Sequence, residues 1–146
     1  MVVLFSATQI GGSVDEPPGY VYNDNGTPFI FDDDTLDIIY NFTVDNGGFL
    51  PIQDIKFKLD LYVNDTTSII LEPGLHLGTA QKQIPTLEPG TTYSSTLTIE
   101  MDPLYIPSFI LSTTSILILI YVETTVTNLL PVAINISTYT VFSGLP

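Results

Sequence analysis

The chain has 146 residues, enough for one domain, and its three lysines against 16 acidic residues give a formal charge of −13 at pH 7. So few cations exclude binding to nucleic acid or to an anionic membrane surface, since both need basic groups. Cysteine is absent, which excludes disulfides. A helix that spans a bilayer needs about 20 apolar residues, and the sequence has no apolar run of that length. No signal peptide is visible.

The first predicted element is an apolar strand over Val2–Thr8, followed by a connection from about Gly11 to Pro28 that is rich in Gly and Pro turn signals. We therefore divide the chain into a first strand at 1–10, a tether at 11–28 and a sandwich domain at 29–146. A strand on such a tether is expected to be detachable. Its candidate contacts to another subunit are Val2, Val3, Leu4, Phe5 and Ala7.

The middle of the chain alternates apolar and polar residues with a period of two, which predicts half-buried strands. The clearest example is Ile55–Val63, where Lys56, Lys58, Asp60 and Tyr62 interrupt the apolar residues. Turn signals separate the predicted strands, and a short apolar run lies at 68–71. The alternating segments are Leu36–Val44, Ile55–Val63 and Tyr93–Met101, and Leu75–Ile84 is a further predicted strand.

The run Ile116–Val122 is apolar or aromatic throughout and mostly β-branched, which predicts a central strand buried on both faces. A last strand is expected over Val132–Phe142. No segment has the apolar spacing of a helix, so we predict none. Short strands separated by turns indicate an all-β, immunoglobulin or fibronectin III-like sandwich of seven to eight strands.

Four N-glycosylation sequons occur in this threonine-rich chain, more than chance would produce. Asn41 is expected on the polar face of its strand and Asn64 in a turn, and a proline follows the first sequon closely. The four asparagines are Asn25, Asn41, Asn64 and Asn135. They are candidate sites for N-linked glycans.

The acidic run Asp32–Asp34, with Asp24 and Asp15-Glu16 upstream, has the hard oxygen ligands that Ca²⁺ prefers. The spacing around Gly26 does not fit an EF-hand loop, because its first ligand position falls on Val21. A solvated acidic turn is therefore the favoured interpretation, and no metal site is predicted.

His76 is the only histidine and lies on a predicted strand. Without cysteine or a second histidine, neither a nucleophile–base pair nor a transition-metal site can be assembled from the usual residues. We therefore predict no enzyme and no cofactor. Tyr20, Tyr22, Phe29 and Phe31 form an aromatic cluster, which is interpreted as core and rim of the sandwich rather than as a binding groove.

The segment from Leu36 to Met101 resembles the late-embryogenesis-abundant/WHy domain family. The matching pieces are Phe42–Asn46, Leu50-Pro51-Ile52, the strand Ile55–Val63, Leu77-Gly78 and Ile84–Gly90. The family's Asn-Pro-Asn loop is replaced by Asp45-Asn46-Gly47-Gly48. The resemblance implies a fibronectin-type sandwich with a protective or binding role and no catalytic residues.

The apolar first strand, low charge and Thr/Asn-rich composition are also similar to subunits of archaeal surface filaments, the threads and bundling pili. This likeness implies a cell-surface subunit that polymerises with copies of itself by donating its first strand. The alternatives are a solitary late-embryogenesis-abundant/WHy-type domain, a carbohydrate-binding adhesin and a viral coat component. The expected location is extracellular or at the cell surface.

Overall fold

The computed structural model describes residues 2–7, 10–15, 18–23, 26, 34–126 and 130–142. Over these residues the chain is almost entirely β, with one short helix. In chain order the elements are β1 Val2–Ala7, β2 Ile10–Asp15, β3 Gly19–Asn23, β4 Thr35–Asn46, β5 Ile52–Thr66, β6 His76–Ile84, β7 Thr92–Glu100, α1 Ile106–Ile110, β8 Thr114–Val126 and β9 Leu130–Phe142.

Two antiparallel sheets face each other. In the five-stranded sheet β4 is central, pairing with β7 on one edge and with β2 and β3 on the other, and β1 lies outside β2. The four-stranded sheet has the order β6-β5-β8-β9. The chain crosses between the sheets after β4, β6 and β7. The predicted all-β sandwich is confirmed.

The predicted tether at 11–28 is wrong in its secondary structure, because it contains β2 and β3. Both strands run along the same edge of β4: Val14 pairs with Phe42, and Gly19 pairs with Ile39. Between these two pairs the chain has four residues, 15–18, where β4 has only two, 40 and 41. The sequence Pro17-Pro18 lies at this interruption of the pairing. Glycine and proline signal a loop locally, but the exposed edge of the 12-residue β4 offers hydrogen bonds that override the signal.

The core forms between the inner faces of β4 and β5, as their alternation predicts. Phe42 stacks on Phe57 across the two sheets, with ring centroids 4.3 Å apart and planes at 14°. Both rings are almost completely buried. Such a pair contributes roughly 0.5–1.5 kcal/mol beyond its area burial.

β8 is central in its sheet, but the prediction that it is buried on both faces is wrong. Ile116, Ile118, Ile120 and Val122 are buried, whereas Leu119 on the opposite face is 38% exposed. Among the described residues no further layer covers this outer face. The apolar run predicted a strand correctly but could not show what packs above it.

The expectation that no helix is present is also corrected. Helix α1 was not predicted, because five residues are too few to show a helical period; Ile106 and Phe109, three apart, are buried. The short apolar run at 68–71 forms a bend in which Ile69 is 98% exposed and only Leu71 is buried.

Gly78 in β6 lies where the edges of the two sheets approach each other. A Cβ at this position would be 2.5 Å from Cγ2 of Ile99 in β7, inside van der Waals contact. Glycine is therefore required here by space, not by backbone conformation.

We predict that Gly78→Ala lowers the free energy of unfolding by roughly 1–3 kcal/mol, because Ile99 must move within a packed core. Urea unfolding at constant slope measures the loss. Gly19→Ala is the matched control: its Cβ would meet only ordinary contacts at 3.8 Å and 3.9 Å, so a change within about 0.5 kcal/mol is expected. Equal effects of the two variants would contradict this explanation.

Candidate functional site

The predicted subunit-contact residues all lie in β1, which pairs with β2 of the same chain. Leu4 is opposite Ser13, Phe5 is opposite Gly12, and Val2, Val3 and Ala7 extend the same ladder. Residues 8–9 connect the two strands, so β1 belongs to a tight hairpin rather than to a long tether. Its backbone also approaches β9 at the edge of the other sheet. Whether β1 pairs with a neighbouring copy stays a prediction.

Two sequon asparagines are exposed on opposite sheets. Asn41 lies on the outer face of β4, opposite Thr96. Asn64 is in β5 and not in the expected turn, and its Nδ2 donates a hydrogen bond to Ser115 Oγ at 3.3 Å. Asn135 lies in β9 at the register position of Tyr121. Asn25 lies outside the described residues.

The acidic run is only partly visible: Asp24, Asp32 and Asp33 lie outside the described residues. Asp34 does not belong to a solvated turn, because it is 1% exposed and its Oδ2 accepts a hydrogen bond from the Tyr22 hydroxyl. That hydrogen bond satisfies one of the two carboxyl oxygens, while Oδ1 is buried and has no hydrogen-bond partner among the described residues. Within the described ranges, no three His, Asp or Glu side chains meet as a metal site would require.

The aromatic cluster is likewise only partly visible, since Phe29 and Phe31 lie outside the described residues. Tyr20 and Tyr22 are half-buried and pack against the core. Their placement agrees with an interpretation as core and rim.

His76 takes part in a small charged group on the outer face of the four-stranded sheet. Its Nε2 is 3.1 Å from Asp60 Oδ1, and Lys58 Nζ is 3.5 Å from Asp60 Oδ2. Burial raises the pKa of Asp60, but hydrogen bonds from Thr79 and His76 and the charge of Lys58 together outweigh it and lower that pKa. The group is a local ion pair that neutralises charge on this face.

The same outer face contains a shallow apolar groove of about 400 Å³ between β5, β8 and the turn before β6. We call it the β5–β8 groove. It is lined by Tyr62, Val63, Asn64, Pro73, Gly74, Leu117 and Leu119. The Tyr62 ring packs against His76 with centroids 4.9 Å apart, which limits its movement.

The outer faces of the two sheets differ in charge. All three lysines lie in β5 and β6, and Lys56 and Lys58 point outward on the four-stranded sheet. The outer positions of β4 and β7 carry Asp37, Asp45 and Glu100 among Thr, Ser and Asn. The five-stranded sheet therefore presents an acidic, hydroxyl-rich surface.

Asn46 organises a site that sequence reasoning treated only as part of a turn. Its buried side chain donates from Nδ2 to the carbonyls of Leu50 at 2.8 Å and Leu87 at 2.9 Å, and its Oδ1 accepts from the Gly48 amide at 3.0 Å. Its backbone carbonyl accepts from the Gly90 amide. Several pieces that carry the family resemblance thus meet at one residue. The available signal was an asparagine directly after an alternating strand.

Among the described residues no helix is long and apolar enough to cross a membrane. No family model and no curated protein matches the sequence. Solved structures of similar fold do exist. A structural genomics target named SoR45 is 14% identical with a TM-score of 0.54 and covers 92% of this chain and 86% of its own.

Two further solved structures have a similar fold. The putative ApaA protein from Bordetella pertussis is 13% identical with a TM-score of 0.52, covering 95% of this chain and 98% of its own. A protein from Archaeoglobus fulgidus is 12% identical with a TM-score of 0.53, covering 90% and 98%. At these identities the likeness shows the fold alone.

We predict that Asn46→Leu costs roughly 2–4 kcal/mol of unfolding free energy, because it removes three side-chain hydrogen bonds, those to the carbonyls of Leu50 and Leu87 and that from the Gly48 amide. Urea unfolding measures the loss, and hydrogen exchange of the Gly90 amide should quicken. Asn41→Ala, at an exposed strand position, is the control and should change stability by less than about 0.5 kcal/mol. A small effect at Asn46 with unchanged exchange at Gly90 would refute the organising role.

A second prediction concerns pH. Because the folded pKa of Asp60 lies below its ordinary value of 3.8, its carboxylate contributes stability above that pH and loses it as the pH falls through the folded value. Asp60→Asn should therefore destabilise the protein at pH 7 by no more than about 1 kcal/mol, with the difference disappearing in acid. Thermal unfolding measured at a series of pH values from 7 down through 3.8 and below tests this, with Glu88→Gln as an exposed control. A difference that grows in acid would contradict it.

Proposed function

We propose that the protein is an extracellular structural subunit, without catalytic activity, that assembles into a filament by exchanging β1 between copies. The observation that carries the proposal is the position of β1. It is the outermost strand of its sheet, and among the described strands it pairs only with β2. Its departure leaves every other strand pairing intact.

The partner strand also suits exchange. Three of the six β2 positions opposite β1 are Gly11, Gly12 and Ser13, so half of the register positions have no side chain or a small one on the β2 side. Register and partner are weakly specified where strands are rich in glycine. A β1 from a second copy can make the same backbone hydrogen bonds to β2 as the chain's own strand.

Exchange requires the β1–β2 hairpin to open, so that the connection between Ala7 and Ile10 passes from one copy to the next. This two-residue connection replaces the long tether expected from the sequence. The bonds broken within one copy are re-formed between copies, so the equilibrium depends on concentration rather than on new chemistry. A head-to-tail contact that does not close on itself builds an open filament.

The composition of the surface supports an extracellular location. Exposed sequons at Asn41 and Asn64 are accessible to modification. The outer face of β4 and β7 is acidic and rich in hydroxyl groups, with Thr43 Oγ1 and Ser94 Oγ hydrogen-bonded at 3.1 Å.

One observation favours a second candidate, a solitary late-embryogenesis-abundant/WHy-like domain that binds or protects other molecules. In the structure β1 completes its own sheet, as a self-sufficient monomer requires. This candidate predicts a compact particle whose state does not change with concentration. The experiment that tests filament formation also separates the two candidates.

The chain contains no cysteine, so an introduced pair reports cleanly on β1. Residues opposite each other in antiparallel strands have Cα atoms about 4.5–5.5 Å apart, which a disulfide can bridge. We predict that Leu4→Cys with Ser13→Cys, oxidised as a monomer, prevents filament formation, and that reduction restores it. Electron microscopy shows whether filaments form, and a non-reducing gel shows whether the disulfide lies within one chain or between chains.

Oxidation after assembly should instead link neighbouring copies into a ladder of covalent oligomers. The matched control is Asn41→Cys with Thr96→Cys, which joins β4 to β7 and should leave assembly unchanged. If subunits oxidised within filaments migrate as single chains on the non-reducing gel, β1 pairs with β2 of its own chain. That result would refute exchange. Compact monomers under all conditions would favour the solitary domain.

A further inference from the structure

Asn64 is both a sequon residue and a wall of the β5–β8 groove. The groove is mostly apolar, and at about 400 Å³ it falls in the range of small-ligand pockets, roughly 300–1,000 Å³. Leu117 and Leu119 of β8 and Tyr62 of β5 contribute its apolar surface. A glycan attached at Asn64 would therefore begin at the edge of an open apolar groove.

The direction of the amide nitrogen is already set. Nδ2 of Asn64 points across to β8, where it donates to Ser115 Oγ at 3.3 Å. Ser115 and Leu117 are two residues apart on one strand, so their side chains lie on the same face. A sugar bonded to Nδ2 would leave the asparagine toward Leu117.

We propose that the first sugars of an N-linked glycan on Asn64 bind in the β5–β8 groove and cover its apolar surface; the proposal rests on the extracellular location proposed above. Attachment uses an oligosaccharide activated as a lipid-linked phosphate ester. The amide Nδ2 forms a bond to the anomeric carbon and loses a proton, while the bond from that carbon to the phosphate oxygen breaks and the lipid phosphate leaves.

The chemistry of the groove suits a pyranose ring. The ring carries C–H groups on its faces and hydroxyls on its rim. The C–H face can pack on Tyr62 and on the leucine side chains, because an aromatic face attracts positively polarised hydrogens. Ser115 offers a hydroxyl for the rim. Contact with His76 keeps Tyr62 in place, so little ordering is needed.

A tethered sugar also has an advantage over a second protein copy. Covalent attachment makes the contact intramolecular, so a weak interaction is enough to populate it. A second copy has no such tether, so its association through a small groove depends on the protein concentration. The glycan is therefore the occupant that the observations favour.

Asn41 provides the contrast within the same chain. It is exposed on β4, opposite Thr96, on a hydroxyl-rich face. None of the residues that line the β5–β8 groove belongs to this face. A glycan at Asn41 has no comparable apolar surface to bind and serves as an internal control.

The test uses the full chain secreted from a eukaryotic cell line in two forms, one keeping only the Asn64 sequon and one keeping only the Asn41 sequon. Each is compared with the same sequence made in bacteria without glycan. We expect the Asn64 glycan to raise Tm by on the order of 4 °C. One typical stabilising contact shifts the Tm of a domain of this length by about that much. The Asn41 glycan should change it little.

Leu119→Ser should remove at least half of the gain from the Asn64 glycan, because it removes an apolar wall that is already 38% exposed in the bare protein. Nuclear Overhauser contacts between the first sugar and the Leu117 and Leu119 methyl groups should be visible in the Asn64 form. These two readouts report the contact itself rather than occupancy of the sequon.

Four outcomes would overturn the proposal: no glycan at Asn64, equal Tm gains at both sites, a gain that Leu119→Ser does not change, or a Leu119-dependent dimer of the bare protein. The last would identify a second copy as the occupant. The filament test uses the unglycosylated chain, so its failure would leave the glycan measurements unaffected. A positive glycan result without filaments would keep the surface location and reject β1 exchange.

Discussion

A buried amide that must satisfy its hydrogen bonds fixes how the two sheets meet. Asn46 ends β4, and its side chain holds the carbonyls of Leu50, just before β5, and Leu87, in the turn before β7. Without Asn46, neither carbonyl would accept a hydrogen bond from a side-chain amide at this position. The crossing from one sheet to the other is thereby held in one geometry, and β5 continues from it with its apolar face over that of β4. The stack of Phe42 on Phe57 depends on this placement.

The sequence predicts the strands whose two faces have different environments. In β4 and β5 an apolar face meets the core and a polar face meets solvent, so alternation identifies both the strand and its orientation. It fails where the deciding contact is distant in sequence. Leu119 is as apolar as its buried neighbours, yet nothing described covers it, and β2 forms only because β4 offers an edge. A five-residue helix such as α1 is too short to produce a pattern.

The candidate sites divide in the same way. A sequon is a local pattern, so Asn41 and Asn64 could be found from the sequence alone, but only the register of β5 with β8 brings Asn64 beside Leu117. The role of Asn46 requires two turns about 40 residues apart to meet at one side chain. Asp34 was misjudged because its partner, Tyr22, lies on a strand that the sequence did not predict.

The two proposals concern different parts of one surface and support each other. The proposed strand exchange would take place at the β1–β2 edge, beside β9, whereas the β5–β8 groove lies on the outer face of the four-stranded sheet, between its two central strands. An uncovered apolar face is a second place where copies could associate, without the direction that strand exchange imposes. A glycan lying in the groove would remove that alternative, because its hydroxyls would replace leucine at the surface. Ordered growth would then depend on β1 alone, since backbone pairing at one edge defines the direction in which each copy adds to the next.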